Sequence, residues 1–140
     1  VHTARAGVPL ILQRGGGSVV HIASIVGLRS MENALDAGPL DAYQISKAAL
    51  VSLSRGLALA YGRRNLRSNT ICPGSIHTPM TDHIYGQKDR VTAMAVRTPL
   101  SRLGYPRDVA AACLYLLTDE ASFISGTDLV VDGGLMVKVA

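Results

Sequence analysis

The chain has 140 residues, of which 48% are hydrophobic and 17% are charged, and its formal net charge is +4. This composition is typical of one globular domain and argues against intrinsic disorder. The longest continuous apolar run, residues 109–117, has nine residues, which is about half of what a transmembrane helix needs. We therefore expect no membrane insertion. The basic residues are scattered and aromatic residues are few, so we also expect no nucleic-acid binding.

Cysteine and histidine positions bear on metal binding and on the cellular compartment. Cys72 and Cys113 lie in apolar segments, and no cysteine or histidine spacing matches a zinc motif. We therefore expect no metal site and two free thiols that pack as small core residues. Free thiols are typical of a reducing compartment, and we expect a cytoplasmic protein.

Strand and helix patterns alternate along the chain, which predicts an α/β fold with a mostly parallel sheet. The predicted elements are a strand at residues 18–24, a helix at 42–61, a strand at 66–72, a helix at 106–117 and a strand at 127–131. This order implies two successive parallel crossovers.

The helix predicted at residues 42–61 begins after Asp41, a plausible N-cap with Gln44 three residues later. Apolar residues cover most of its circumference, so we expect one side to pack on the sheet and the other against a partner subunit. The second predicted helix begins at Pro106, which suits a first helical position, and Asp108 favours its first turn.

Residues 75–101 show no clear helical or strand period. A long irregular segment in a compact domain is usually functional, and we interpret this one as a lid over a substrate site.

The segment Tyr43-Gln44-Ile45-Ser46-Lys47 carries the sharpest chemical signal. Four residues apart on a helix, Tyr43 and Lys47 share one face. An ammonium group beside a phenol favours the ionised phenol, so the pair can act as a general acid or base toward an alcohol or a carbonyl. The alternative is an aromatic ring that packs beside the apolar stem of a surface lysine, because the pattern alone is common.

Three features converge on one edge of the predicted sheet. Ser24 ends the first strand, Tyr43 begins the following helix, and Pro73-Gly74 ends the second strand. Ligands of open α/β sheets bind outside the carboxyl ends of the strands. Taken alone, Ser24 is better explained as a cap or turn hydroxyl.

Four segments, in this order, resemble the classical short-chain dehydrogenases/reductases over residues 5–137. They are GGGSVVHIAS, YQISK, NTICPGSIHTPM and RLGYPRDVAAACLYLLTDEASFISGTDLVVDGG. The resemblance implies an NAD- or NADP-dependent oxidoreductase that interconverts a secondary alcohol and a ketone by hydride transfer. It implies Tyr43 as the catalytic acid or base and Lys47 as the group that favours its ionised form and holds the nicotinamide ribose. Ser24 is implied as the donor to the substrate oxygen.

The resemblance also implies how the cofactor and the substrate are bound. The backbone at Pro73 and Gly74 would line the nicotinamide, and Ile76 and Thr78 would contact its carboxamide and a nearby phosphate. The lid at residues 75–101 would contact a small-molecule alcohol or ketone.

The chain departs from the family pattern in ways that affect these expectations. No glycine-rich phosphate turn is found, because the glycines at residues 15–17 precede a strand and do not lead from a strand into a helix. The extra segment 30–39 is expected to bulge near the site mouth. Ser68 takes a strand position that is usually apolar, which is tolerable if its hydroxyl finds a backbone partner.

The expected fold is therefore a partial, Rossmann-like, doubly wound sheet that forms the C-terminal part of one domain over residues 1–140. The N-terminal nucleotide-binding half is absent, which would leave the strand at 18–24 as an exposed apolar edge. We accordingly expect the isolated chain to be inactive.

Two classes of function are compatible with this sequence. The chain is either part of an oxidoreductase or a truncated, non-catalytic interaction module. Such a module would use the helix at 42–61 and the C-terminal strand, the surfaces through which the family forms homodimers and homotetramers. The intact set of Ser24, Tyr43 and Lys47 favours the enzyme.

Overall fold

The computed structural model describes residues 1–29, 42–82 and 88–138. Its three strands form a parallel sheet in the order β1-β2-β3. The strands are β1 (Gly17–Ile22), β2 (Leu66–Pro73) and β3 (Asp128–Val131). The helices are α1 (His2–Gln13), α2 (Ala42–Tyr61), α3 (Lys88–Arg97) and α4 (Pro106–Leu117). The α/β class and the parallel pairing are as predicted.

The central strand β2 separates two cores. Neighbouring residues of a strand point to opposite faces, and Ile71 and Cys72 therefore belong to different clusters. Cys72 packs with Val51 of α2, whereas Ile71 packs with Leu116 of α4. Helices α2 and α4 thus cover opposite faces of the sheet, and all three strands present their carboxyl ends at one edge.

The two long predicted helices are confirmed, while the strand ends shift slightly. Strand β1 ends at Ile22, two residues early, because Ser24 begins a short 3-10 turn over Ile25–Gly27. Strand β2 continues one residue further to Pro73, and β3 begins at Asp128. Asp41 and the segment 30–39 lie outside the described residues.

Helix α1 has no counterpart among the predicted elements. Gly7 and Pro9 interrupt its apolar pattern, and among its residues Val8 alone is buried. Glycine and proline are unfavourable inside a helix, so local propensity argues against a helix here.

The interpretation of residues 75–101 as irregular is wrong for the part that the structure describes. A 3-10 turn lies at Pro79–Thr81, and α3 occupies Lys88–Arg97. No residue of α3 is fully buried, but Val91, Met94 and Ala95 are half-buried at the spacing i, i+3 and i+4, a helical period that the expectation of an irregular segment overlooked.

Ser68 is accommodated in the core by a side chain and not by the backbone partner that we expected. Its Oγ lies 3.0 Å from the Oγ of Ser54 on α2, and both residues are buried. Each hydroxyl can donate or accept, so the pair satisfies itself inside the α2 face of the sheet.

The side of α2 away from the sheet exposes Ile45 and Leu59. Cover by a partner subunit on that side stays a prediction. No helix within the described ranges has the length and hydropathy to cross a membrane.

We expect Ser54→Ala to lower the free energy of unfolding by about 1–3 kcal/mol, because it leaves the buried Ser68 hydroxyl without its partner. The double variant Ser54→Ala/Ser68→Ala removes both hydroxyls, and its loss should be smaller than the sum of the two single losses. Denaturant unfolding measures these values, with Ser52→Ala on the exposed side of α2 as the control. Additive losses would show that the two hydroxyls do not interact.

Candidate active site

The carboxyl end of β1 brings the start of α2 and the turn after β1 into direct contact. The Nζ of Lys47 donates to the backbone carbonyl of Ile22, the last residue of β1, at 3.0 Å. Gly27, at the end of the 3-10 turn, packs against the α2 backbone, where a Cβ would lie 2.7 Å from the carbonyl carbon of Lys47. Only glycine permits this close packing of the turn against α2. The packing places Ser24, Tyr43 and Lys47 at the same edge of the sheet.

Tyr43 and Lys47 lie side by side, as their spacing predicts. The Lys47 Nζ is 5.4 Å from the centre of the Tyr43 ring. Tyr43 is 39% exposed, so a small molecule can reach its side chain. The first turn of α2 is reinforced by the Ser46 hydroxyl, which donates to the carbonyl of Tyr43 at 2.7 Å. The arrangement presents a phenol and a cation together at the site.

Ser24 also has the turn-capping role that we weighed for it. Its Oγ accepts a hydrogen bond from the backbone N–H of Val26 at 3.4 Å, and the residue is 8% exposed. Because a hydroxyl that accepts one bond still carries its own hydrogen, Ser24 can also donate to a substrate oxygen. The capping role and the proposed donor role are therefore compatible.

A buried thiol lies next to Ser24. Burial, and next to it the negative charge of Asp128, raise the pKa of Cys72 to about 11, although a hydrogen bond with the Ser24 backbone acts in the opposite direction. At neutral pH this group is a neutral thiol inside the core, and it is not an activated nucleophile.

Pro73 and Gly74 end β2 at the same edge of the sheet. The N–H of Gly74 donates to the carbonyl of Val131 on β3 at 3.0 Å. A Cβ on Gly74 would lie 2.6 Å from the Cβ of Asp132, so the close approach of these two strand ends requires glycine. The position of Pro73-Gly74 at the end of β2 was predicted correctly from the sequence. The contact of Gly74 with the end of β3 was not.

Ile76 and Thr78 continue β2 beyond the edge of the sheet. Ile76 forms a parallel bridge with Gly104, and the N–H of Thr78 donates to the Thr81 Oγ1 at 2.9 Å. These contacts place both residues on the β2 side of the edge. Ser24, Tyr43 and Lys47 lie on the β1 side.

A cleft beside β2 and β3 was not predicted from the sequence. It has a volume of about 520 Å³, and the residues that line it include Ser75, Ile76, Leu100, Arg102, Asp108 and Asp132. Inside it Arg102 holds Asp108 with two hydrogen bonds, of 2.8 and 3.2 Å. Asp108 was predicted to favour the first turn of α4, but its pairing with Arg102 across Pro106 was missed.

The Arg102 hydrogen bonds hold the pKa of Asp108 well below its ordinary value, at about 2. The N–H of Tyr105 adds to this effect by donating to the Asp108 Oδ2 at 2.7 Å. Asp108 is therefore ionised throughout the neutral range and joins the start of α4 to the loop before it.

The donors at the β1 side suit a nucleotide sugar. A lysine ammonium has three N–H groups, and Lys47 uses one of them on the Ile22 carbonyl. The others can donate to a pair of ribose hydroxyls. The chemistry of this site therefore fits a nicotinamide nucleotide, whereas the described residues contain no cluster suited to a metal ion.

Comparison with known proteins gives consistent matches over nearly the whole chain. A family model described as enoyl-(acyl carrier protein) reductase matches residues 1–136. The chain is 35% identical over 130 residues to a 3-oxoacyl-(acyl carrier protein) reductase of Thermotoga maritima. That alignment covers 93% of this chain and 50% of the relative. The chain spans about half the length of the curated relatives it matches.

Solved structures match with similar coverage. A 4-hydroxyisoleucine dehydrogenase mutant, complexed with NADH and succinate, has a TM-score of 0.86 and 30% identity over 99% of this chain and 55% of its own. A gluconate 5-dehydrogenase from Burkholderia cenocepacia, in complex with NADP and tartrate, has a TM-score of 0.83 and 26% identity. That match covers 97% of this chain and 51% of the other.

The Arg102–Asp108 pair predicts an acid-sensitive contribution to stability. Because the pKa of Asp108 is depressed from 3.8 to about 2, the contribution is present above pH 4 and is lost as the pH falls through about 2. We expect Asp108→Asn to lower Tm at neutral pH, and the difference from the unaltered protein to shrink toward pH 2. Thermal unfolding across this pH range measures it, with Glu120→Gln as an exposed control. A difference that does not change with pH would contradict the assignment.

Proposed function

This chain belongs to the short-chain dehydrogenase/reductase family, and we propose that it carries the proton-transfer half of an NAD- or NADP-dependent oxidoreductase. The reaction is the interconversion of a secondary alcohol and a ketone of a small molecule. The observation that carries the proposal is the pairing of Tyr43 with Lys47 at the carboxyl end of β1, the edge at which Ser24 also lies. In this proposal Tyr43 is the acid or base, Lys47 the cation and Ser24 the hydrogen-bond donor.

In the proposed reaction Tyr43 transfers the proton. As a ketone is reduced, the Tyr43 hydroxyl gives its proton to the substrate oxygen, and as an alcohol is oxidised it takes the proton back. The Lys47 ammonium, close to the ring, stabilises the negative charge on the phenol oxygen when the proton has left. Ser24 donates a hydrogen bond to the same substrate oxygen and stabilises charge that develops there.

The bound nicotinamide supplies the other half of the chemistry, the transfer of a hydride to or from the substrate carbon. In this proposal Lys47 holds the ribose hydroxyls with its remaining N–H groups. The backbone of Pro73 and Gly74 lines the nicotinamide, and Ile76 and Thr78 contact its carboxamide and a phosphate. The NADH and NADP complexes of the similar dehydrogenases support both forms of the cofactor.

The activity in this proposal belongs to the whole protein that contains the chain. The curated relatives are about twice as long, and the fingerprint turn for the cofactor phosphates is not part of this sequence. We propose that the missing half supplies this turn and pairs with β1, which has a neighbour on one side only among the described strands. The isolated 140-residue chain is then inactive, and the lid within residues 75–101 selects the substrate.

Oligomer formation is the second part of this proposal. The exposed Ile45 and Leu59 on α2 support a homodimer or a homotetramer built through α2 and the C-terminal strand β3. The same surfaces would serve a non-catalytic interaction module. The two functions are distinguished by turnover, which only the enzyme shows.

The first experiment is the intact mass of the protein from its natural source, followed by titration of that full-length protein with NAD and NADP. A mass well above 14.7 kDa together with cofactor binding supports the enzyme. A mass of 14.7 kDa without cofactor binding supports the interaction module.

We expect Tyr43→Phe in the full-length protein to lower kcat by about a hundredfold or more while cofactor affinity stays nearly unchanged, because the variant loses only the proton-transfer group. Steady-state kinetics and cofactor titration measure the two effects. Tyr61→Phe, at the other end of α2, is the matched control. Normal turnover in Tyr43→Phe would refute the acid/base assignment.

Lys47→Ala is expected to weaken cofactor binding and to lower kcat, since Lys47 is proposed both to hold the ribose and to stabilise the phenol oxygen. Lys47→Arg keeps the positive charge and should recover part of kcat. If kcat falls in Lys47→Ala while cofactor affinity stays unchanged, Lys47 does not hold the ribose.

A further inference from the structure

Three polar side chains lie in one row across the sheet. His21 of β1 is aligned with Thr70 of β2, and Thr70 is aligned with Asp128 of β3. Because Thr70 and Cys72 are two residues apart on one strand, the row lies on the face that α2 covers. His21 Nε2, Thr70 Oγ1 and Asp128 Oδ1 are all buried, and none has a hydrogen-bond partner among the described residues. A buried polar atom without a hydrogen-bond partner costs free energy, so the charged groups around this row bear on how this face of the sheet is stabilised.

Asp128 depends on α2 for its positive partner. Its side chain is only 10% exposed, and its Oδ2 accepts a hydrogen bond from Arg55 Nη2. Burial lowers the pKa of His21, so this ring is neutral at pH 7, and Cys72 on the same face is a neutral thiol. Among the described residues on this face, Arg55 is therefore the cation that compensates the Asp128 charge.

The Arg55–Asp128 pair completes a set of polar contacts between α2 and the sheet. Lys47 reaches β1 through the Ile22 carbonyl, Ser54 reaches β2 through Ser68, and Arg55 reaches β3 through Asp128. Only Val51 and Ser54 of α2 are themselves buried. The placement of α2 on the sheet thus depends strongly on polar contacts, one to each strand.

We propose that Arg55 and Asp128 are positioning residues for Tyr43 and Lys47. Arg55 lies eight residues after Lys47, about 12 Å along the same helix. The buried charge of Asp128 holds Arg55, and the helix transmits this constraint to the residues at its start. The catalytic consequence rests on the proposed function, whereas the constraint on α2 does not.

Removing Arg55 and removing Asp128 should affect stability differently. Arg55→Met leaves a buried carboxylate without its cation, which is strongly destabilising. Asp128→Asn leaves a guanidinium that is 60% exposed in the native protein and can be solvated by water.

The test compares Arg55→Met, Asp128→Asn and the double variant in the full-length protein, with Arg64→Met as an exposed arginine control. Thermal unfolding at neutral pH reports on the pair without any need for activity. We expect Arg55→Met to lower Tm by on the order of 10 °C. Asp128→Asn should lower Tm less, and the double variant should recover to its level.

Kinetics distinguish positioning from stability alone. At a temperature where all variants are folded, Arg55→Met should lower kcat roughly tenfold with a smaller change in KM, since misplacement of reacting groups slows the chemical step. Arg64→Met should change neither value.

Two results would overturn the proposal. An Arg55→Met protein with the Tm of Arg64→Met would show that the pair does not hold α2. An unchanged kcat in Arg55→Met, beside a Tyr43→Phe protein that has lost turnover, would remove the positioning role and leave the proposed function intact. Absence of turnover in the unaltered protein would instead refute the proposed function and the catalytic role, with Tm still reporting on the constraint.

Discussion

The hydrogen bond from Lys47 to the Ile22 carbonyl joins the start of α2 to the end of β1. The close packing of Gly27 on the α2 backbone supports the same junction, because no larger residue fits there. Ser24, two residues beyond Ile22, and Tyr43, one helical turn before Lys47, take their places from this contact. The candidate site is therefore a property of one junction between a strand and a helix.

Both faces of the sheet combine apolar and polar contacts. On the α4 face Ile71, Leu116 and Ala121 form an apolar cluster, and the side chains of Ser18 and Arg67 donate to the Leu116 carbonyl at 2.9 Å. On the α2 face serine hydroxyls and an ion pair lie among the apolar side chains. Apolar contacts are non-directional, whereas hydrogen bonds require a definite geometry. The face that carries the proposed catalytic helix therefore adds directional contacts to its apolar core.

On the β2 side of the edge, turns and close contacts between strand ends fix the backbone. Gly74 lies against Asp132, and the Asp132 carboxylate accepts from the N–H groups of Gly134 and Met136. Arg102 and Asp108 close the neighbouring loop. These contacts form the wall of the cleft and place Ile76 on it.

Local sequence patterns were enough to predict the strands β1 to β3, the helices α2 and α4, and the pairing of Tyr43 with Lys47. These features depend on periodicity, on Pro and Gly signals and on spacing along one helix, all of which are local. Helix α1 was not predicted because Gly7 and Pro9 interrupt its pattern, and the short helical period of α3 was overlooked among the polar residues and prolines of residues 75–101. The Ser54–Ser68 hydrogen bond, the row of polar residues under α2 and the Arg55–Asp128 pair could not be predicted. They join residues distant in sequence, and their contact depends on strand order and register.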